Sequence, residues 1–354
     1  MTEAHLNLIA TAVPGFDVHD KFVEYAPSLL PDERSRRLFR RMAERAQIEH
    51  RYSFVEPHPA PDMLDRLGLF GRGAFADTSA RMLFFAAHAR DLAEQAVAGL
   101  DGRLCPRTIS HLIVTCCTGM YAPGLDVEIA ERCGLNPGVE RTVIGFMGCQ
   151  AALPGLKLAR HIVRSQPTAR VLMVNLELCT LHLQETSDLA SVLSFLLFAD
   201  GCAASLISAE PEGAALHGFA TTVLPDSRDQ ITWRIGNQGF LMWLDGAVPA
   251  TIARGLPQAA ATLLGGRDAA EVELWAIHPG GRSILDAAQD SLGLADAALA
   301  DSRAVLRAYG NMSSPTIMFV LARILARGGV RGLGCAVAFG PGLTAESMSF
   351  GVAG

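Results

Sequence analysis

Between residues 141 and 208, short apolar segments alternate with a helix in a way that leaves few folds open. Residues 141–146 read as a strand, Gly148-Cys149 as a turn and 150–165 as a helix; 170–176 and 202–208 follow as further strands. These strands are near-continuous runs of Val, Ile, Leu and Ala, the pattern of a sheet whose two faces are both covered. The alternation predicts an α/β fold. Residues 189–209 form the most lipid-like stretch, but Asp200 and Gly201 interrupt it, so a buried helix followed by a buried strand is expected there rather than a membrane span.

The flanking chain uses the same grammar. A strand over 6–13 stops at Pro14-Gly15, and an arginine-dense helix covers 32–51. A loop-rich stretch occupies 56–78, a long helix 80–99, a strand 111–117, and a helix ends at Cys133. Later come a strand at 273–278, helices at 283–292 and 316–326, and strands at 334–339 and 346–350. No Pro-rich or charged linker separates the two sets. The expectation is two related α/β halves, 1–210 and 211–354, in one compact unit.

Half of the 354 residues are hydrophobic and 19% are charged, enough to build a large core. A net charge of −6 gives no basic surplus for binding nucleic acid or anionic membranes. The eight cysteines show no disulfide framework and no metal-ligand spacing. Reduced thiols and a cytoplasmic location are therefore expected. Glu3 sits where a signal peptide would carry positive charge, which argues against such a leader.

Four segments carry groups able to do chemistry. Cys149 lies between a strand end and a helix start, where unpaired N–H groups and the positive helix end would favour a thiolate; a buried structural cysteine is the alternative. Pro154 sits awkwardly close to that helix start. His278 closes an apolar strand before Pro279-Gly280-Gly281, where open α/β sheets place ligands. A histidine merely covering the sheet end fits equally well. Asn311, in Tyr309-Gly310-Asn311-Met312-Ser313-Ser314-Pro315, is either an ordinary cap or an amide donor. Arg34, Arg37, Arg41 and Arg45 recur at helical spacing; they form a phosphate clamp or a solvated face balanced by neighbouring acids.

Taken in order, Gly148-Cys149, Trp275-Ala276-Ile277-His278-Pro279-Gly280-Gly281, Tyr309–Ser314 and Phe339-Gly340-Pro341-Gly342 resemble the motifs of the type III polyketide synthases, the chalcone-synthase-like enzymes. The resemblance covers nearly the whole chain and is strongest from residue 111 onward. It implies a duplicated thiolase-type fold of αβαβα layers, a homodimer, and a Cys149–His278–Asn311 triad. It also implies coenzyme A thioesters as substrates, with no metal or redox cofactor. Phe198 matches the phenylalanine between the CoA tunnel and the reaction cavity. Arg41 and Arg45 match cationic CoA-binding positions, while a third, normally lysine, is Leu38 here, beside Arg37.

In the implied reaction Cys149 takes an acyl group from a starter CoA ester. His278 and Asn311 then stabilise the enolate left when malonyl-CoA loses carbon dioxide, and the carbanion extends the chain. Several cavity positions depart from the plant pattern. Cys117, Cys179 and His182 replace threonines, Trp233 a small glycine, and Met242 a second phenylalanine. Such a lining suits an aliphatic starter and an alkylpyrone or alkylresorcinol product. Glu177 and Ser313 match residues linked in relatives to the choice of ring closure. Three alternatives stand beside this: a single-condensation ketoacyl synthase, a papain-like peptidase using the same three residue types, and an inactive acyl-CoA-binding scaffold.

Overall fold

The computed structural model describes residues 2–352 apart from Asp101 and Gly328. Its frame is one long sheet of nine strands. In spatial order they are Leu274–Ile277, Gly332–Gly340, Thr344–Val352, Ala214–Val223, His5–Ala12, Asp200–Ser208, Val171–Leu178, His111–Cys116 and Glu140–Gly145. The join at the middle is slight: His5 faces Ala215 and Leu6 faces Ala214, and no further residues of those two strands pair.

On either side of that join the same pattern recurs. In the first half Val171–Leu178 runs parallel to His111–Cys116 and antiparallel to Asp200–Ser208, which is antiparallel to His5–Ala12. In the second, Gly332–Gly340 runs parallel to Leu274–Ile277 and antiparallel to Thr344–Val352, which is antiparallel to Ala214–Val223. Two sheet halves so related separate three apolar layers, and successive side chains of a strand point into different ones. Val171 and Met173 enter the middle layer, whereas Leu172 and Val174 enter the layer packed on helix Thr78–Ala98. Ala336 and Ala338 enter the middle layer, whereas Val337 and Phe339 face helices Val248–Leu263 and Arg282–Leu292. The order is αβαβα, as expected.

The middle layer holds helices Ala152–Ser165 and Ser314–Ala326. The second is buried almost all round, which its apolar sequence Ile317-Met318-Phe319-Val320-Leu321 requires. Cys149 and Asn311 stand just before the N-termini of these two helices, one from each half.

Elements read from the sequence are present with ends shifted by a few residues. The arginine-rich helix is shorter than expected, Glu33–Ala46: Asp32 caps it by accepting from the Ser35 N–H at 2.8 Å, and Gln47 turns left-handed at φ 56°. Among the elements that the sequence does not announce are helix His19–Tyr25, strand Ala214–Val223, the hairpin Ile231–Gly236 with Gly239–Leu244, helix Val248–Leu263 and helix Ala300–Tyr309. Pro257 inside Val248–Leu263 hides that helix from propensity arguments; burial of Ile252, Leu256 and Leu263 holds it.

Candidate active site

The turn that carries Cys149 is built by two left-handed residues, Phe146 at φ 55° and Gly148 at φ 66°. The first costs strain that a non-glycine residue bears only in a fixed setting. The Gly148 N–H donates to Cys117 Sγ at 3.1 Å. Cys149 follows in a short 3₁₀ turn, Gly148–Gln150, that leads into helix Ala152–Ser165. Pro154 is the third residue of that helix, among the positions whose N–H has no intrahelical acceptor, so it breaks nothing.

His278 continues the strand Leu274–Ile277, its N–H donating to Val337 O at 2.8 Å, and is 1% exposed. Neither ring nitrogen has a hydrogen-bond partner. Asn311 is tied to the first half of the chain by a two-bond bridge: its N–H donates to Leu197 O at 2.8 Å, and Ala199 N–H donates to its carbonyl at 2.9 Å. Its side-chain oxygen accepts the Ser313 N–H at 2.8 Å, which turns the amide NH₂ toward Gly280 O at 3.4 Å. Ser313 is held at φ 58° to make that bond.

Cys149, His278 and Asn311 line one cavity, together with Cys117, Cys179, Phe198, Trp233, Met242 and Ser313. Burial pushes the Cys149 thiol up to about 11, against hydrogen bonds from Ser313 and Asn311. Burial also drives the His278 imidazole down to about 3. Burial of both groups thus opposes the thiolate that the helix end would favour. The imidazole is thus buried in the cavity wall with neither nitrogen engaged by the protein.

Behind the cavity wall Glu177 is fully buried. It accepts from the Cys117 N–H at 2.9 Å, the Thr118 hydroxyl at 2.8 Å and the Ser314 hydroxyl at 3.0 Å. Burial raises its carboxyl to about 7 despite these donors.

His182 does not line the cavity. Its Nε2 donates to Thr118 O at 2.8 Å and its Nδ1 accepts the Phe240 N–H at 2.9 Å, so the ring is a fixed support. It stacks on Phe240 and stands edge-on to Trp233, with ring centroids 5.2 Å apart in the second pair. Trp233 Nε1 donates to Cys117 O at 2.8 Å, which fixes the indole as a cavity wall.

Towards solvent, the reaction cavity shares Leu244, Val248, Gly280 and Ile284 with a wider vestibule that includes Arg45, Arg282 and Asp286. Arg41 is exposed on the same helix as Arg45 but lies outside that lining, and Leu38 is also exposed.

Residues 6–211 match the family described as chalcone and stilbene synthases, N-terminal domain, and residues 215–352 match its C-terminal domain. The chain belongs to the chalcone and stilbene synthase family. It is a type III polyketide synthase, an acyltransferase of thiolase fold. It is 32% identical over 368 aligned residues to the alpha-pyrone synthesis polyketide synthase-like Pks18 of Mycobacterium tuberculosis, covering 99% of this chain and 92% of that one. Bisdemethoxycurcumin synthase of Oryza sativa is 30% identical, over 88% of this chain and 82% of its own. Among solved structures, PKS-I of the brown alga Ectocarpus siliculosus superposes with a TM-score of 0.86 at 30% identity, covering 100% and 99%. The C-terminal type III domain of Steely1 from Dictyostelium reaches 0.88 at 24% identity over 99% of each chain, a likeness of fold. Iterative condensation is thereby favoured over the single-condensation ketoacyl synthases that share the triad.

Beside Trp233 and Met242, which the sequence pointed to, the same hairpin of this polyketide synthase brings Ile231 and Leu244, a cross-strand pair that the sequence did not announce, into the cavity lining. The two-residue period was there to be read, but Ile235, Leu241 and Trp243 on the same hairpin are exposed and apolar, which blurs it. Phe195, Val248 and Ile284 come from three separate helices and carry no local signal.

Proposed function

We propose that this type III polyketide synthase loads an aliphatic acyl group from a CoA ester onto Cys149, extends it repeatedly with malonyl-CoA, and closes the product to a pyrone or resorcinol. In this reading the Cys149 proton passes to His278 as sulfur attacks the thioester carbonyl. His278 then returns it to the departing CoA thiolate. Malonyl-CoA loses carbon dioxide, and the enolate oxygen accepts hydrogen bonds from His278 and the Asn311 NH₂. The enolate carbon attacks the acyl carbonyl and expels the Cys149 thiolate. Transfer of the longer chain back to Cys149 restarts the cycle.

One observation carries these roles. In a cavity otherwise walled by Trp233, Met242, Leu244 and similar apolar groups, both nitrogens of a buried His278 are unpartnered beside Cys149 and Asn311. An unsatisfied buried imidazole is costly unless a ligand completes it. The same apolar walls support an aliphatic starter, and a relative named for alpha-pyrone synthesis supports the ring type.

The proposal also takes the halves to be 1–210 and 211–354, the molecule to be a cytoplasmic homodimer, and the chemistry to need no metal or redox cofactor. The repeated strand pattern supports the first point. The edge strand Glu140–Gly145, with Val143 exposed, supports pairing between copies. No helix among the described residues is long and apolar enough to cross a membrane. Purified protein offered acyl-CoA esters of several lengths with malonyl-CoA tests the reading by product mass. Preference for an aromatic starter overturns the substrate class, and products extended by a single unit overturn the iterative cycle. Full activity after EDTA treatment is expected, and sedimentation gives the oligomeric state.

A further inference from the structure

A second cavity lies directly behind the reaction cavity. Phe195 and Phe198 border both, so these two side chains are the partition between them. Its other walls are mainly apolar, including Val18, Phe22, Leu64 and Phe70. Its polar groups are nearly all used. The Ser53 and Thr180 hydroxyls bond each other at 2.7 Å, and Lys21 Nζ donates to Ala60 O at 2.6 Å.

Arg51 is the exception. It lines this chamber and is 2% exposed. Its Nη1 donates to Phe195 O at 2.9 Å and to Phe198 O at 2.8 Å, and its Nε donates to His19 Nδ1 at 3.1 Å. Its Nη2 is buried and has no acceptor. The nearby carboxylates do not complete it. Asp17 is taken by His50 Nδ1 and by the N–H groups of His19 and Arg51; Asp200 is taken by Thr180. The guanidinium lies 4.9 Å from the centre of the Phe22 ring, which packs against it.

A buried cation with an open donor is costly, and a guanidinium is shaped to bind an oxygen acceptor, above all a carboxylate. The arrangement is therefore an apolar chamber with one free charged donor, and that donor also holds the backbone of both partition residues. We propose that this chamber is a second substrate subsite, receiving the far end of a starter chain whose ω-terminus carries a carboxylate or hydroxyl. The proposal rests on Cys149 loading and narrows its substrate class. The chain passes between Phe195 and Phe198, and its terminal oxygen accepts from Arg51 Nη2.

Loading of Cys149, followed by intact-protein mass spectrometry, tests this without requiring condensation. The probes are acetyl-CoA, decanoyl-CoA, and decanoyl-CoA bearing an ω-carboxylate or ω-hydroxyl. Wild-type protein should load an ω-oxygenated ester about tenfold more efficiently than decanoyl-CoA, the gain expected of one charge-assisted hydrogen bond. Leu64→Trp, which fills the chamber from its half-buried loop side, should erase that ratio when each rate is scaled to acetyl-CoA. Val18→Trp fills it from the other wall and serves if the first variant fails to fold.

Equal loading of plain and ω-oxygenated esters by wild type, with acetyl-CoA loading intact, overturns the subsite and leaves the function standing. So does a preference that survives both filled variants. Free decanedioate that blocks loading while the esters show no preference would mean a separate ligand site and overturns it too. Failure of every ester to load overturns the parent reading together with this one.

Discussion

Gly148 and Pro341 are packed so closely that a β-carbon on residue 148 would lie 2.4 Å from Pro341 Cδ. The contact is mutual at the next step, since a β-carbon on Gly340 would lie 2.8 Å from the Gln150 side chain. The turn that carries Cys149 and the Phe339–Leu343 loop are thus fitted together, and Gly148 meets the rigid Pro341 ring. Gly148 also needs its left-handed φ of 66°. Gly148→Ala should lose about 1–2 kcal/mol from backbone conformation alone. It should lose more activity than stability, because Pro341 must shift at the cavity wall. Denaturant unfolding set against malonyl-CoA-dependent product formation checks both parts; wild-type turnover would sink the idea.

Burial of Cys149 makes a distinct prediction for thiol chemistry. Only the thiolate alkylates, and burial has raised Cys149 to about 11. Without substrate, iodoacetamide labelling of Cys149 should be slow at neutral pH and climb about tenfold per unit toward pH 11. A plateau reached below pH 8 would mean that His278 already holds the thiolate as an ion pair.

Asn311→Asp keeps the shape of the side chain but puts negative charge where enolate charge develops. Malonyl-CoA decarboxylation should fall about 10²–10³-fold, the scale of losing one oxyanion donor. Loading of Cys149 should suffer much less. Carbon dioxide release and acyl-enzyme mass separate the two steps, and parallel losses in both would argue against a role confined to the enolate.

Glu177 links folding to pH. Its carboxyl keeps a proton up to about pH 7 in the folded chain, whereas an ordinary glutamate releases it near 4.5. Between those values the folded state binds more protons than the unfolded one, so this group's contribution to stability falls as pH rises, by about 3 kcal/mol over the window. Glu177→Gln should flatten that part of the stability profile. An unchanged slope from pH 4.5 to 7 in urea unfolding would refute the assignment.

Trp233→Ala removes a cavity wall and the bond to Cys117 O. Product mass should shift toward longer chains or bulkier starters, at a stability cost of about 3 kcal/mol. An unchanged product spectrum would show that the indole does not limit the cavity.

Much of the frame was legible beforehand. Runs such as Val171–Leu178 and Asp200–Ser208 are buried on both faces, so their apolar character was continuous and readable. Cys149, His278 and Asn311 were legible singly as candidates, each in a short glycine-bearing segment and each with a structural alternative; only the resemblance to the type III polyketide synthases joined them as a set. Their protonation was not legible. The field of a helix end is local, whereas the burial that opposes it comes from layers far apart in sequence. His182 was read as a cavity residue by position. Its two hydrogen bonds, to Thr118 and Phe240, draw it behind Trp233 instead.

The order of apolar runs and glycine turns along the chain determined an α/β class and marked the three segments that carry sulfur, imidazole and carboxamide as candidates, since strand burial and turn geometry are written in neighbouring residues. Only tertiary packing decided that His278 is buried with both ring nitrogens unpartnered. It alone decided that Trp233 rather than His182 walls the cavity, and that Arg51 lines a second chamber across Phe195 and Phe198. Those outcomes depend on desolvation and on contacts between distant segments, and neither has a local signature in sequence.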